Sequence, residues 1–374
     1  MIIGILKEPT GENRVSLLPE QCAQLIKQQV QIQVESCAGA KASASDESYA
    51  AVGVTILSRN QVLQAADIVL SIQLLTESDI ILCKPNAIVL GVYQPLYHFQ
   101  QMHTWANKGI SAFSLDMIPR TTRAQSMDVL SSQANIAGYK AVLLAANIYP
   151  RYFPMFMTAA GSIAPAKVLI LGAGVAGLQA IATARRLGAV VEVFDTRPAV
   201  KEEVMSLGAK FIEVEGAADA SAAGGYAVEQ SAEYQQKQKD RIAAAIAKAD
   251  IVITTAQIPG KKAPILITAA MIEQMRNGSI IIDLAAATGG NTEVTKNNET
   301  IVYAGVQVVG NSQLAAAMPS DASKLYGKNV FNFLQLIIDK TGQLNLNFED
   351  DLVKGTCITY DGQIIHERVA ALLA

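Results

Sequence analysis

Four cysteines are scattered over 374 residues, at Cys22, Cys37, Cys83 and Cys357, with no CxxC pair and no histidine at ligand spacing. That scarcity argues against a metal site or a disulfide framework and reads as reduced structural thiols in a cytoplasmic protein. A long apolar run is also missing. The chain is 51% apolar, yet no stretch approaches the ~20 uninterrupted apolar residues of a membrane span. The longest candidate, Pro154 to Leu178, is broken by Lys167, Gly161, Gly172, Gly174 and Gly177. The start, MIIGILKEP, lacks the basic segment and the apolar length of a signal peptide. No sign of charge dominates: the net charge is −3 with both signs interspersed, which argues against a nucleic-acid partner.

What is present is alternation. Strands are expected at Met1 to Leu6, Gln31 to Glu35, Asp67 to Ile72, Ala87 to Val92 and Gly109 to Ser114, with a helix opening at Pro19. A second series begins at Val168 and continues through Phe211 to Val214, Asp250 to Thr255, Ser279 to Leu284 and Val306 to Val309. Ala66-Asp67-Ile68-Val69 returns as Ala249-Asp250-Ile251-Val252, a short echo that suits two related units. Val129 to Asn147 has apolar residues at helical spacing and can link the two series. Lys324 to Asp339 is a further amphipathic helix, expected to pack back on the first domain. Near the C-terminus, Tyr360-Asp361-Gly362 suits a two-residue hairpin turn, on a hairpin that could exchange between subunits.

The most informative stretch is VLILGAGVAGLQAIATARRLGAVVEVFD, Val168 to Asp195. A strand leads into Gly172-x-Gly174-x-x-Gly177, an amphipathic helix follows, and a second strand, Val190 to Phe194, ends on Asp195. Gly172 permits the tight turn, Gly174 lets the backbone approach a pyrophosphate, and Gly177 lets the helix pack close to the sheet. A diphosphate would then rest on unpaired N–H groups at the positive end of the helix. Asp195 is placed to accept hydrogen bonds from the adenosine ribose, so NAD is expected to be favoured over NADP. The bland alternative is a glycine-rich turn beside a solvated acid. The fold class expected is α/β: two doubly wound Rossmann-like domains joined by long helices, with a cleft between them. Residues 1–131 with 318–374 would form the first domain and 132–317 the second.

Two further segments carry candidate chemistry. Glu215 to Lys239 is small and polar, with Tyr226 after Gly224-Gly225 and a second aromatic at Tyr234. A loop this long is expected to be a mobile lid, or else a solvated surface loop running into a polar helix. Pro119 to Tyr139 gathers Arg120, Arg123, Gln125, Asp128, Ser131 and Ser132 just before or within the start of the linking helix. Gln125, Asp128 and Ser131 are spaced to share one face of a loop-to-helix turn. Amide, carboxylate and hydroxyl groups there could hold a carboxamide and a ribose diol. The competing reading is an ordinary capped helix start, with Ser126 or Asp128 as cap.

The run from Arg120 to Tyr139, RTTRAQSMDVLSSQANIAGY, closely resembles the soluble NAD(H)-binding component of proton-translocating NAD(P) transhydrogenase, domain I of its alpha subunit. The resemblance extends through LKEPTGENRVSLLPE (Leu6 to Glu20), GAGVAGLQAIATARRLGA, Gly224-Gly225-Tyr226-Ala227, TTAQIPGKKAP (Thr254 to Pro264) and MPSDASKLYG (Met318 to Gly327). It implies that this chain holds NAD(H) while a partner subunit presents NADP(H), hydride passing directly between the two nicotinamides. By the same resemblance Arg120 and Ser131 orient the carboxamide, Gln125 bridges towards the partner nucleotide, and Asp128 holds the nicotinamide ribose and Arg120. Ser126 and Met127 lie in the same cofactor-binding run. Val175 approaches the pyrophosphate, Asp195, Thr196 and Arg197 serve the adenosine ribose, and Tyr226 rides on a closing loop. Gly225, Gln238 and Gln257 match further positions near the nucleotide. A homodimer is implied, held peripherally at the inner face of the membrane by membrane-spanning partner subunits that couple the reaction to proton translocation.

Alanine dehydrogenases are the wider relatives and the leading rival reading. Such an enzyme needs an acid–base group and a cationic carboxylate binder. The family pattern places a lysine where this chain has Ser71-Ile72-Gln73-Leu74, and a histidine near Tyr93-Gln94-Pro95, where none stands. His98 and His103 fall in an expected surface helix, but Arg14 is retained. A third reading, an NAD-binding regulatory module, has no need for Arg120, Gln125, Asp128 and Ser131 together.

Overall fold

The computed structural model describes residues 1–214 and 231–373. The chain divides into two compact units, Met1–Gln133 with Ala315–Ala374, and Ala134–Leu314. The helix Val129–Ile148 carries the chain from one to the other.

The first unit is built on an eight-stranded sheet. From one edge its order is Thr55–Leu57, Gln31–Glu35, Ile2–Ile5, Ile68–Leu70, Ile88–Gly91, Ser111–Ser114, Cys357–Tyr360 and Gln363–Ile364. The first six strands are parallel, and each of the last two runs antiparallel to the strand before it. Central parallel strands need cover on both faces, and Ile68–Leu70, Ile88–Gly91 and Ser111–Ser114 are buried throughout. Alternate residues feed opposite cores. Ile68, Leu70, Ile88 and Leu90 join Tyr326 and Phe333 on one side, while Val69 and Val89 join Tyr93 and Trp105 on the other.

The tail helix runs Pro319–Ile337, five residues earlier than its apolar pattern suggested, because Pro319 supplies a ready first turn. Its residues Tyr326, Val330, Phe333, Leu334 and Ile337 are buried in the first core. At the C-terminal hairpin Asp361 and Gly362 both have positive φ, 48° and 76°, as the expected turn requires. The hairpin pairs with Ser111–Ser114 of its own chain, extending this chain's sheet. His98 immediately precedes the surface helix Phe99–Asn107, and its side chain makes no capping bond; His103 is exposed on that helix.

The second unit has seven strands, in the order Lys210–Phe211, Val190–Phe194, Lys167–Leu171, Ile251–Thr254, Ile280–Asp283, Val306–Val309 and Thr300–Tyr303. All are parallel except Thr300–Tyr303. Strand order reverses between Lys167–Leu171 and Ile251–Thr254, the switch point at which open α/β sheets take ligands. Separate from this sheet, Phe156–Thr158 and Gly161–Ile163 form an exposed hairpin within the apolar stretch that begins at Pro154. Among the described residues no helix is long and apolar enough to cross a membrane.

The short echo between the halves has a structural counterpart. Asp67 accepts the Ile2 N–H at 2.8 Å, and Asp250 accepts the Lys167 N–H at 2.9 Å. In both units the acid heading a later strand thereby pins the start of the first. The flanking backbone bonds repeat as well: Asp67 N–H to Ile2 O and Asp250 N–H to Lys167 O.

Two helices of the second unit meet at backbone distance. A Cβ on Gly138 would lie 2.1 Å from the Ala176 carbonyl oxygen. Alanine in a helix interior ordinarily stabilises by about 0.5–1 kcal/mol over glycine. Here Gly138→Ala should instead cost about 1–3 kcal/mol through overpacking. Thermal unfolding checks the sign: a midpoint raised by the substitution would contradict this close approach.

Candidate functional site

The glycine turn joins Lys167–Leu171 to the helix Val175–Arg186. Gly172 has φ 104°, and a Cβ there would meet Thr255 Oγ1 at 2.4 Å. A Cβ on Gly177 would fall 1.9 Å from the Gly172 carbonyl oxygen, so helix and turn touch through backbone alone. Gly174, the residue capping the helix, has nothing within 4 Å of its would-be Cβ. Val175 is exposed beside it. The helix thus presents its positive end to an unobstructed surface.

Asp195 stands at the end of the adjacent strand, but its carboxylate is not waiting for a ligand. Its Oδ2 accepts the Ala173 N–H and an Arg197 Nη2–H, each at 2.7 Å. Its Oδ1 accepts the Arg197 backbone N–H at 2.8 Å and Nε–H at 2.9 Å. The bonds from Asp195 hold the Arg197 guanidinium pKa above its ordinary value. A carboxylate has about four acceptor positions, so a ribose hydroxyl would have to displace Arg197. Thr196 lies half-buried in the bend between them.

The remaining nucleotide-site candidates of this unit are spread around the same turn. Residues 232–239, grouped by composition with the long loop, belong to the helix Ala232–Ile246. Gln238 is half-buried on it, and Tyr234, buried, has its phenol pushed up by burial and by the Asp195 charge. Gln257 is exposed and donates to the Leu284 carbonyl at 2.9 Å. Its loop is held by the buried Asn291, which bonds both the N–H and the carbonyl of Ala256. Gly225 and Tyr226 lie outside the described residues.

In the first unit, residues 122–127 form a 3-10 turn leading into the helix Val129–Ile148. Asp128 caps that helix: Oδ1 accepts the Ser131 N–H at 2.9 Å and Oδ2 accepts the Ser131 hydroxyl at 2.6 Å. The capping reading and the clustering of Asp128 with Ser131 are both realised, since the same bonds do both. Gln125 and Ser126 are exposed, as is Arg120. Met127 is buried in the first core at 6% exposure, so its side chain has no open face to offer a ligand. Arg123 is turned away from this group and pairs with Asp350 and Asp351.

A doubly wound sheet with a glycine turn at its switch point, and an acid ending the next strand, defines a dinucleotide-binding α/β protein. The chain belongs to the alanine dehydrogenase/PNT family: the family's N-terminal domain matches residues 4–137 and its C-terminal domain residues 141–367. It is 45% identical over 376 residues to a Rhodospirillum rubrum protein named as the first portion of NAD(P) transhydrogenase subunit alpha, covering 98% of each chain. The crystal structure of transhydrogenase from Sinorhizobium meliloti superposes with a TM-score of 0.89 at 42% identity, covering 97% of this chain and 100% of that one. Alanine dehydrogenase of Bacillus subtilis is 24% identical over 379 residues, 99% of this chain and 94% of that protein. The chain is thus a member of the transhydrogenase alpha-subunit family, within a wider family of NAD-binding dehydrogenases.

The retained Arg14 has a definite setting. Its Nε and Nη2 donate to the two oxygens of Glu12 at 2.7 and 2.6 Å, and its Nη1 donates to Gln133 at 2.8 Å. Gln73 donates to the same Glu12 at 3.1 Å. Three of the five guanidinium N–H groups are thus engaged by side chains of the protein itself. Beneath it Glu8 is buried, accepting the N–H groups of Ile72 and Gln73 at 2.6 and 3.0 Å. Burial drives its carboxyl from 4.5 up to about 7; those two N–H bonds oppose the rise, Glu12 adds to it and Arg14 opposes it. Tyr93 and Tyr326 are buried as well, and burial chiefly, with a smaller contribution from the Glu8 charge, pushes both phenols up.

Glu8 therefore binds its proton more tightly folded than unfolded. Its contribution to stability is full below the ordinary carboxyl value of 4.5 and declines as pH rises to about 7. The loss should total about 3 kcal/mol across that window. Urea unfolding of wild type and Glu8→Leu, compared from about pH 4.5 to about pH 8, isolates it from the other titrating groups. A difference between the two proteins that is constant with pH would mean that Glu8 stays ionised.

Proposed function

We propose that this chain binds NAD(H) at the Gly172–Gly177 turn and serves direct hydride transfer between that nucleotide and NADP(H) on a partner subunit. The observation that carries the reading is the turn itself: Gly172 and Gly177 are pinned by close contacts, while Gly174 faces open space at the head of a helix. Backbone N–H groups of the turn would receive the diphosphate. Asp195, Thr196 and Arg197 would serve the adenosine ribose, Arg197 moving off Asp195 as the hydroxyls arrive. Arg120, Gln125, Asp128 and Ser131 would align the nicotinamide end, with Asp128 and Ser131 already fixed on each other. NADH, when bound, supplies the hydride. Transfer from ring to ring needs alignment rather than a proton donor, and the inward-held Arg14 accords with that. The near-complete match to a transhydrogenase alpha-subunit chain supports a homodimer that works with an NADP(H)-binding subunit. Membrane-spanning partners would couple the transfer to proton translocation and hold this chain at the inner membrane face.

Gly174→Ala separates binding from folding, because the site has room for a methyl group and its φ of −78° suits alanine. Stability should stay within about 0.5 kcal/mol of wild type. NADH affinity, by fluorescence titration, should fall about tenfold or more as the methyl holds the diphosphate off the backbone. Mixed with an NADP(H)-binding partner domain, the wild-type chain should reduce an acetylpyridine analogue of NAD+ from NADPH, followed by the shifted absorbance of the product. A chain that binds NADH yet supports no transfer in that mixture would be a binding module only.

A further inference from the structure

The segment from Pro119 to Gln133 is held from the far end of the sequence. Asn329, on the helix Pro319–Ile337, is 7% exposed, and its amide bridges two points of that segment. Its Nδ2 donates to the Ser126 carbonyl at 2.8 Å, and its Oδ1 accepts the Ser132 hydroxyl at 2.7 Å. Those points directly follow Gln125 and Ser131. A carbonyl oxygen can only accept, so the NH2 end of the amide must face Ser126, and the orientation of the side chain is decided by chemistry. Neither aspartate nor leucine, though close in size, could make both bonds.

Further contacts brace the same segment from the C-terminal region, among them the Gln133 side-chain amide, which donates to the Ala322 carbonyl at 3.1 Å. Asn332 donates to the Ser126 carbonyl at 2.9 Å from a more exposed position. Arg123 pairs with Asp350 and Asp351. At the entrance, Gly355 packs on Pro119, where a Cβ would come within 2.4 Å of the proline ring. Of these, only Asn329 spans the turn that contains Asp128.

We propose that Asn329 is a positioning residue for hydride transfer: it sets the backbone at Ser126 and Ser132, and through it the orientation of Gln125, Asp128 and Ser131. This rests on the transfer role proposed above for that segment. Asn329 touches neither nucleotide in this scheme, so its effect falls on alignment. An alignment error near ~1 Å can cost about a hundredfold in rate. Binding would be carried by the glycine turn of the other unit and should be spared.

The test uses the full chain mixed with an NADP(H)-binding partner domain, reading NADH affinity and single-turnover transfer at saturating nucleotide. Asn329→Ala should keep its Kd for NADH within about twofold while transfer slows about tenfold or more. Asn329→Asp, which can accept from Ser132 but cannot donate to Ser126, should be slowed similarly, whereas a role in packing volume alone would leave it near wild type. Ser132→Ala should slow transfer less, and combined with Asn329→Ala should add little. If neither Asn329 variant folds, the serine variant decides: Ser132→Ala must still slow transfer without weakening NADH. A wild-type transfer rate in the folded Asn329 variants, or equal losses in affinity and rate, overturns the proposal. Gln125→Asn is run alongside. If it transfers slowly while the Asn329 variants are normal, only the positioning role falls; if Gln125→Asn and the Asn329 variants are all normal, the segment has no part in transfer and both readings fall.

Discussion

The second unit depends on backbone meeting backbone at the head of the helix Val175–Arg186. Gly177 lies against the Gly172 carbonyl on one side, and Gly138 lies against the Ala176 carbonyl on another. No side chain can intervene at either contact, so the first turn of that helix is fixed between the strand before it and the long helix Val129–Ile148. A helix end fixed in this way needs no rearrangement to present its N–H groups. The open space at Gly174 is the side that these contacts leave clear.

The acids of the candidate sites share a common condition: each already has partners. Asp195 is bonded to Ala173 and Arg197, Asp128 to Ser131, and Glu12 to Arg14 and Gln73. A ligand reaching such a carboxylate exchanges bonds rather than adding them, so its net gain is small, on the order of 1 kcal/mol per exchange. What the arrangement provides instead is geometry. Asp128 illustrates this, because the two bonds that cap the helix also fix where Ser131 points. Discrimination at Asp195 likewise involves a cation, since displacing Arg197 leaves a guanidinium near any group on the ribose.

The parts of this fold written in short stretches of chain were legible. The strand–turn–helix around Gly172, the acid at Asp195 and the hairpin turn at Asp361 each depend on a few consecutive residues and their backbone angles. The aspartates of the repeated Ala-Asp-Ile-Val were visible as an echo, though the N–H groups they bind, on Ile2 and Lys167, were not. Edge strands escaped notice because a single buried face leaves a weak pattern: Thr55–Leu57 and Thr300–Tyr303 are half-buried or exposed. The start of the helix Ala232–Ile246 has the composition of a loop, because its first two turns are polar apart from Tyr234. Met127 carried a site-like neighbourhood in sequence, yet its apolar side chain went to the core. The pairing of Arg197 with Asp195 is local in sequence, two residues apart, but spacing alone does not say that the guanidinium occupies the carboxylate. The bridge from Asn329 across the Asp128 turn joins residues about two hundred apart and arises only on folding.

The first unit is discontinuous, with its sheet and one core finished by residues from Ala315 onward. Chains are made from the N-terminus, and domains generally fold as units while synthesis proceeds. The strands of residues 1–133 therefore emerge from the ribosome with a whole intervening domain still to be made. During that interval the face later covered by Tyr326, Val330 and Phe333 lies open, and the edge at Ser111–Ser114 is unpaired. Residues 134–314 are contiguous and can close first. The order of assembly thus runs against the order of the sequence, and the last long helix to be translated completes the first sheet to be started.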